Sequence, residues 1–533
     1  MVTDAILKEL DQLIKFNTWK PIRDSNEATK DTIHKSITGS KLIIKEKTDA
    51  NGATLLWKAR LVAQGHTISR EKYDPFDRTA HTIPTELVFT QVAIATREGL
   101  SIETFDVPGA YLHATLKNGK KHVMRIKANL VPYVLKLSPS WKQFQQRDGS
   151  MLVLLQKSLY GLPEAGQLWQ EYLGSVLHSL GYQRCPHEPC IYRKVIDSKR
   201  SSTVSIHVDD VLHTYNCSTL RAELYQGLEK HNLKGVKISK LGVGQDITHL
   251  GMLLRKEQDG GVIFTQYGYI KKLLLEYKPG VSRSTPASEN ILNEHSGVDD
   301  ERLGTNGYYL SKLMSLYYLA SRTRPDIMPA CAMLSSKVAN PKVGDMKALQ
   351  RIIDYLAGSI NRVLKIKATT IKIHGLVDCA FGVHWDKRSH SGMLITMGFL
   401  GPPLMWRSGK QRINTRHSTE GELVAIHDFL DHILWLAQIL EWWGYPQGTI
   451  PIYQDNTSTI TIAYMGKGSA HSHTRYIDVK FFWIKQFLDS GRIILKYIPR
   501  EQMIADFFTS CRGGSTFHNM VDTFMFSDSD RHK

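Results

Sequence analysis

Apolar residues fall at helical spacing near the start of the chain: Ile6, Leu10, Leu13, Ile14 and Phe16 predict an amphipathic helix over residues 5–19. Basic and polar residues then dominate to about residue 53. Beyond them, apolar and β-branched runs at 55–62, 101–107, 151–155 and 204–212 read as strands, separated by helical patterns at 86–95 and 167–180. A polar stretch at 278–307, opened by Pro279-Gly280 and carrying Gly297, Gly304 and Gly307, reads as a linker. A helical block follows at 308–357. From 371 the order is strand, glycine-bearing turn, strand, long helix, strand, helix, strand and helix, which predicts a separate α/β domain. The expected fold class is therefore α/β and α+β, multidomain, with no internal repeat.

Composition narrows the picture. At 533 residues the chain exceeds one ordinary domain, and at ~100–200 residues per domain it should form about three or four packed units. Hydrophobic residues at 42% and charged residues at 22% are globular values that exclude wholesale disorder. Sixty-eight Lys and Arg against 51 Asp and Glu give +17, which favours a polyanionic partner, nucleic acid first among them. The most apolar helical segment, 429–445, is broken by Asp431, His432 and Glu441, so no membrane span is expected. Asp4, Lys8, Glu9 and Asp11 stand where a signal peptide needs an apolar core. Six scattered cysteines suit a reducing compartment, and Cys185 and Cys190 match no common zinc spacing.

Two sets of carboxylates carry the chemistry. Ile206-His207-Val208-Asp209-Asp210-Val211-Leu212 puts adjacent acids inside an apolar strand pattern, where charge is expensive without compensation. The bland alternative is an exposed hairpin tip. Upstream, Thr104-Phe105-Asp106-Val107-Pro108-Gly109-Ala110-Tyr111 ends another strand in an acid. Three carboxylates on neighbouring strands can hold two Mg²⁺ ions about 3.5–4 Å apart for phosphoryl transfer.

The series of motifs around these acids resembles copia-type reverse transcriptases. In family order stand Asn17-Thr18-Trp19, the run Lys58-Ala59-Arg60-Leu61-Val62-Ala63-Gln64-Gly65, the Asp106 strand, Lys157-Ser158-Leu159-Tyr160-Gly161-Leu162 with Leu168-Trp169, Val208-Asp209-Asp210, His249-Leu250-Gly251-Met252 and Thr323-Arg324-Pro325-Asp326-Ile327. The resemblance implies that Asp106, Asp209 and Asp210 are the metal ligands and that Lys58 and Arg60 approach a dNTP triphosphate. It also implies that Tyr111 is the bulky gate against a ribonucleotide 2′-hydroxyl. Departures are His207, where the family often has Tyr, and Pro163-Glu164, where it commonly has Lys-Gln. Glu164 is thereby expected beside the incoming triphosphate, an unfavourable place for a carboxylate unless it is paired or turned away.

The C-terminal acids resemble those of ribonuclease H. Asp378 ends a strand, Glu422 begins a long helix, Asp455 ends another strand and Asp506 sits on a late helix. Ser389-His390-Ser391-Gly392, Ser418-Thr419-Glu420-Gly421-Glu422, Asp455-Asn456 and Thr474-Arg475-Tyr476-Ile477-Asp478 resemble the copia-type versions. The implied ligands are Asp378, Glu422, Asp455 and Asp506, with Glu420 and Asp478 as alternatives for the second and fourth. His471 and His473 flank this set.

Together the resemblances imply a right-hand polymerase followed by a ribonuclease H-like domain: fingers and palm at 1–245, thumb and connection at 246–370, ribonuclease H at 371–515 and a tail at 516–533. The expected activity is RNA-directed DNA synthesis with hybrid cleavage, using two Mg²⁺ per site with Mn²⁺ able to substitute. Expected partners are RNA and DNA template-primers, RNA–DNA hybrid, dNTPs and other products of the polyprotein, and the expected place is a cytoplasmic virus-like particle, or the nucleus. Two competing readings are a catalytically decayed remnant that only binds nucleic acid and a DDE-type integrase or transposase; the latter leaves the paired Asp209-Asp210 unexplained.

Overall fold

The computed structural model describes residues 2–24, 37–48, 54–68, 75–117, 122–292, 297–304, 306–465 and 475–528. They form two compact units: Met1–Ile83 with Phe105–Arg184 and Pro189–Ile238, and Pro84–Thr104 with Cys185–Glu188 and Ser239–Lys533.

In the first unit the helix Val2–Lys15 buries Ile6, Leu10 and Leu13. It stops short of the predicted residue 19 because Asn17 turns left-handed at φ 51 and Trp19 starts a strand. A five-stranded sheet runs Trp19–Ile22, Met151–Leu155, Val123–Ile126, Thr38–Thr48, Thr54–Ala63. A second sheet runs Asp210–Tyr215, Ser201–His207, Ile191–Val195, Gln183–Arg184, with Phe105 and Asp106 alongside Asp210–Tyr215. The run predicted as one strand at 204–212 is two strands: Asp210 pairs with His207, leaving Val208 and Asp209 as a two-residue turn. The helix Ala165–Ser179 packs Trp169, Leu173, Val176 and Leu177 into the core of this sheet.

The second unit holds two five-stranded sheets. One runs Asp246–His249, Met252–Lys256, Val262–Thr265, Arg362–Ile366, Phe526–Ser527. The segment from 516, expected as a tail, is thus built in: Val363 pairs with Phe526, Arg362 bonds Asp522 at 2.7 Å, and Gly514–Val521 is a helix. The polar 278–307 stretch is mostly exposed among its described residues but is anchored at Thr285, Ala287 and Ile291, which are buried, with Arg351 bonded to the Thr285 hydroxyl at 2.9 Å. The 308–357 block is three helices, Asn306–Ala320, Met328–Ser335 and Val343–Gly358.

The other sheet runs Pro403–Lys410, His390–Met397, Ile373–Ala380, Ile450–Gln454, Ile493–Tyr497. Its first three strands are antiparallel and its last two run parallel to Ile373–Ala380. Between the third and fourth in sequence lies the 25-residue helix Ser418–Trp442. It is the one described helix long and apolar enough to cross a membrane, and 67% of its most apolar window is buried in the fold. The strand Pro403–Lys410 was not expected from the sequence, and the one helix expected between Ile450–Gln454 and Ile493–Tyr497 is two, Thr457–Met465 and Arg475–Asp489.

Candidate active sites

The turn in the first unit is strained. Val208 sits at φ 58, a left-handed conformation costing a β-branched residue about 1–2 kcal/mol. Two bonds hold it: the Trp169 indole N–H donates to the Val208 carbonyl at 2.6 Å, and the Val107 N–H donates to the Asp209 carbonyl at 3.2 Å. Trp169 thereby holds the backbone of the turn that carries both acids, where the sequence gave it only as part of a motif. Asp106 stands on the neighbouring strand. Burial raises its pKa first, the charges of Asp209 and Asp210 add to that, and Lys58 opposes them. The three acids stand near enough for their charges to act on one another, although their oxygens are not drawn as close as those of the second unit described below.

On Thr54–Ala63, alternation buries Ala59 and Leu61 and leaves Lys58 and Arg60 on the other face. Arg60 is fixed from two sides. Its Nη1 lies 3.4 Å from the Glu9 carboxylate, whose other oxygen accepts the Leu61 N–H at 3.0 Å, and its guanidinium lies 4.8 Å over the Tyr160 ring. Tyr160 meets Tyr111 edge-on at 4.9 Å. Burial pushes the Tyr160 hydroxyl up to about 12 and also raises Tyr111, on which the Asp209 charge acts next. Glu9 and Tyr160 were missed in sequence. Glu9 had a signal, an acid on the buried stripe of Ile6, Leu10 and Leu13, and it is 5% exposed with its carboxyl raised by burial. Gly161 explains why the Tyr160 motif must dock on this strand. It sits at φ 90, and any Cβ there would strike the Ala63 carbonyl while the Ala63 N–H donates to the Tyr160 carbonyl at 2.8 Å.

Glu164 is paired, one of the two arrangements that the sequence left open for it. It is 3% exposed and its carboxylate bonds His122 Nε2 at 2.7 Å, with His122 itself 1% exposed. A carboxylate at this position is accommodated by burial against a histidine. His207 ends its strand half-buried.

In the second unit Asp378 lies near the end of Ile373–Ala380, Glu422 in the first turns of Ser418–Trp442 and Asp455 just past Ile450–Gln454. Their ligand atoms all lie within 4.8 Å of one another, the one such acid set among the described residues. Asp378 and Glu422 are each 5% exposed. Burial, then the charges of Asp506 and Asp455, pushes Asp378 up to about 7; burial, then Asp378, holds Glu422 well above its usual range. Gln454, unnoticed in sequence, ties the set together: its Nε2 donates to Glu422 at 3.1 Å, and its Oε1 accepts the Asp455 N–H at 2.8 Å. Glu420 instead accepts the Arg416 N–H at 2.7 Å, so Glu422 is the acid that joins the cluster. Crowded, mutually repelling carboxylates of this kind fit a divalent cation.

Asp506 lies on a short 3-10 turn, Ile504–Phe508, where a helix was expected. Gly392 lets that turn approach, since a Cβ there would stand 2.5 Å from the Ala505 carbonyl. Asp506 acts on Asp378 by its charge but lies outside the tight set, and both its oxygens are 2.6 Å from Arg512 Nη2. Asp478 falls on Arg475–Asp489 with its side chain outside the described residues, as are His471 and His473 altogether.

These shifts predict the pH dependence of metal-free stability. Asp378 binds its proton more tightly folded, at about 7, than at its ordinary value of 3.8, so its contribution is complete below about 4 and is lost as pH rises through about 7. In EDTA the urea midpoint should fall between pH 5 and pH 8, and Asp378→Asn should flatten that fall. Parallel profiles for the two chains would contradict the cause assigned here.

Residues 27–282 match the family described as reverse transcriptase (RNA-dependent DNA polymerase). The Retrovirus-related Pol polyprotein from transposon TNT 1-94 of Nicotiana tabacum is 26% identical over 528 residues, covering 95% of this chain and 36% of its own length. That from transposon RE1 of Arabidopsis thaliana is 25% identical over 529 residues, covering 97% and 33%. The chain therefore spans about a third of the length of these curated relatives. Among solved structures, the native protease-reverse transcriptase of prototype foamy virus is 10% identical, covers 96% of this chain and 55% of its own, and has a TM-score of 0.27. The chain thus matches reverse transcriptases at 27–282 and is similar along nearly its whole length to the retrovirus-related Pol polyproteins of plant transposons.

Proposed function

We infer that the chain copies RNA into DNA at Asp106, Asp209 and Asp210 and cleaves the RNA strand of the resulting hybrid at Asp378, Glu422, Asp455 and Asp506. The observation that carries the reading is the strained Val208 turn, clamped by Trp169 and Val107 so that its acids stand beside Asp106. Mg²⁺, replaceable by Mn²⁺, is the cation proposed for both acid sets, two ions each, supplying nucleophile activation and neutralisation of phosphate charge.

The chain's own residues do the rest. Lys58 and Arg60 offer cations to a dNTP triphosphate, and Glu9 keeps the Arg60 guanidinium oriented so that less freedom is lost on binding. Tyr111, backed by Tyr160, forms a wall on which a 2′-hydroxyl would clash. Gln454 positions Glu422 and Asp455. The +17 charge grips RNA or DNA template-primers and hybrids through their phosphates, making binding steeply salt-dependent and weakly sequence-specific. Other products of the polyprotein are proposed as further partners, in a cytoplasmic particle.

One preparation tests this by primer extension on an RNA template and by cleavage of an RNA–DNA hybrid. Both activities are expected in Mg²⁺ and neither after chelation. A chain that holds the primed template yet does neither in Mg²⁺ or Mn²⁺ is the decayed remnant instead.

A further inference from the structure

Arg512 is the feature that the proposed chemistry leaves unused. Its Nη2 lies 2.6 Å from both oxygens of Asp506, the acid that stands outside the tight set of Asp378, Glu422 and Asp455. A guanidinium here does electrostatically what a cation would do: it neutralises the fourth carboxylate. The pairing is not the strong fork-to-fork kind, because a single nitrogen serves both oxygens and the buried Arg512 Nε has no partner. An orphaned donor makes the contact easier to exchange.

The surroundings show which part can move. Asp506 is anchored by its backbone, its carbonyl accepting the Thr509 N–H at 3.1 Å and the Thr509 hydroxyl at 2.9 Å. Phe507 and Phe508 are locked into an aromatic cluster with Phe517 and Phe524. Arg512, in contrast, is followed by Gly513-Gly514, and its side chain is 25% exposed. The Glu289 carboxylate accepts the N–H of the next residue, Gly513, at 3.1 Å. The side chain of Arg512 is the part free to leave.

We propose that Arg512 stands in for one of the nuclease cations: a first divalent ion settles on Asp378, Glu422 and Asp455, and a second gains Asp506 only by displacing Arg512. The two ions then bind in order, with the second held off by a residue of this chain. The inference rests on the nuclease reading above and adds to it that the two sites are unequal.

The test counts bound Mn²⁺ by electron paramagnetic resonance in the full chain, carrying Asp209→Asn and Asp210→Asn to silence the other acid set. One ion should bind first and a second at distinctly higher concentration. Arg512→Gln should draw the second midpoint down by about 10–100-fold, the scale on which residues behind metal ligands act, and leave the first unmoved. Arg512→Lys should keep the wild-type order, and Asp506→Asn should lose the second ion alone, which also serves if the Gln variant does not fold. Two ions with one shared midpoint in the wild type, or a second midpoint indifferent to Arg512→Gln, overturn the proposal while leaving the nuclease reading intact. An ion count unchanged by Asp378→Asn overturns both.

Discussion

Converting Asp209 and Asp210 together to Asn should slow primer extension by about 10³-fold or more, with the fold and template binding retained. Both side chains are half-buried at a turn whose carbonyls accept the Trp169 indole N–H and the Val107 N–H, so the hairpin is held through its backbone. Their removal also relieves Asp106 of two like charges that raise its pKa. What is lost is the anchorage of the metal charge that stabilises the transferring phosphate, worth several kcal/mol, and each ~1.4 kcal/mol is about tenfold in rate. Single-turnover extension measures the effect, and unchanged melting with unchanged template affinity excludes a folding defect. Extension at the wild-type rate would remove these acids from the reaction.

Asp326→Ala should cost about 3–5 kcal/mol of stability, a large part of the ~5–15 kcal/mol that a domain has. Arg324 is 1% exposed and Asp326 is fully buried. Arg324 Nε and Nη2 donate to the two Asp326 oxygens at 2.9 and 2.6 Å, Nη1 reaches the Ser359 carbonyl at 3.0 Å, and the Tyr355 hydroxyl donates to Asp326 at 2.6 Å. Deleting the carboxylate strands a guanidinium in the core, whereas Arg324→Met with Asp326→Leu removes both charges and should restore much of the loss. Urea unfolding compares the three chains. A loss under about 1 kcal/mol for Asp326→Ala would mean that water or another acid reaches Arg324. Hybrid cleavage by the folded fraction should be unaffected.

The same residues show what a sequence can reveal. Thr323-Arg324-Pro325-Asp326-Ile327 was legible as a family marker, yet nothing in its spacing said that it is a buried ion pair rather than a surface motif. The paired Asp209-Asp210 was legible because acids in an apolar run demand compensation, but the break of that run into two strands depends on Val208 adopting a conformation that valine avoids. The strand Pro403–Lys410 escaped because Leu404, Met405 and Trp406 are all buried and so do not alternate. That Glu164 had to be paired or turned away was legible, but not its partner, because sequence order cannot say that His122, 42 positions away, meets it. Glu422 could be preferred to Glu420 by its apolar neighbours, and Gln454 explains in three dimensions why that preference has chemical weight.

The pairing of Val363 with Phe526, and of Arg255 with Asp528 at 2.7 Å across 273 positions, bears on how the chain is made. The sheet begun at Asp246 gains its last strand only after the whole intervening sequence, including the complete nuclease sheet, has left the ribosome. Closing so long a loop is entropically unfavourable and topologically slow. Until then Arg362–Ile366 presents an open edge, the kind of surface on which a nascent chain pairs with the wrong neighbour. This sheet is thus the last in the second unit to be completed in chain order, with Phe526–Ser527 as its closing clasp.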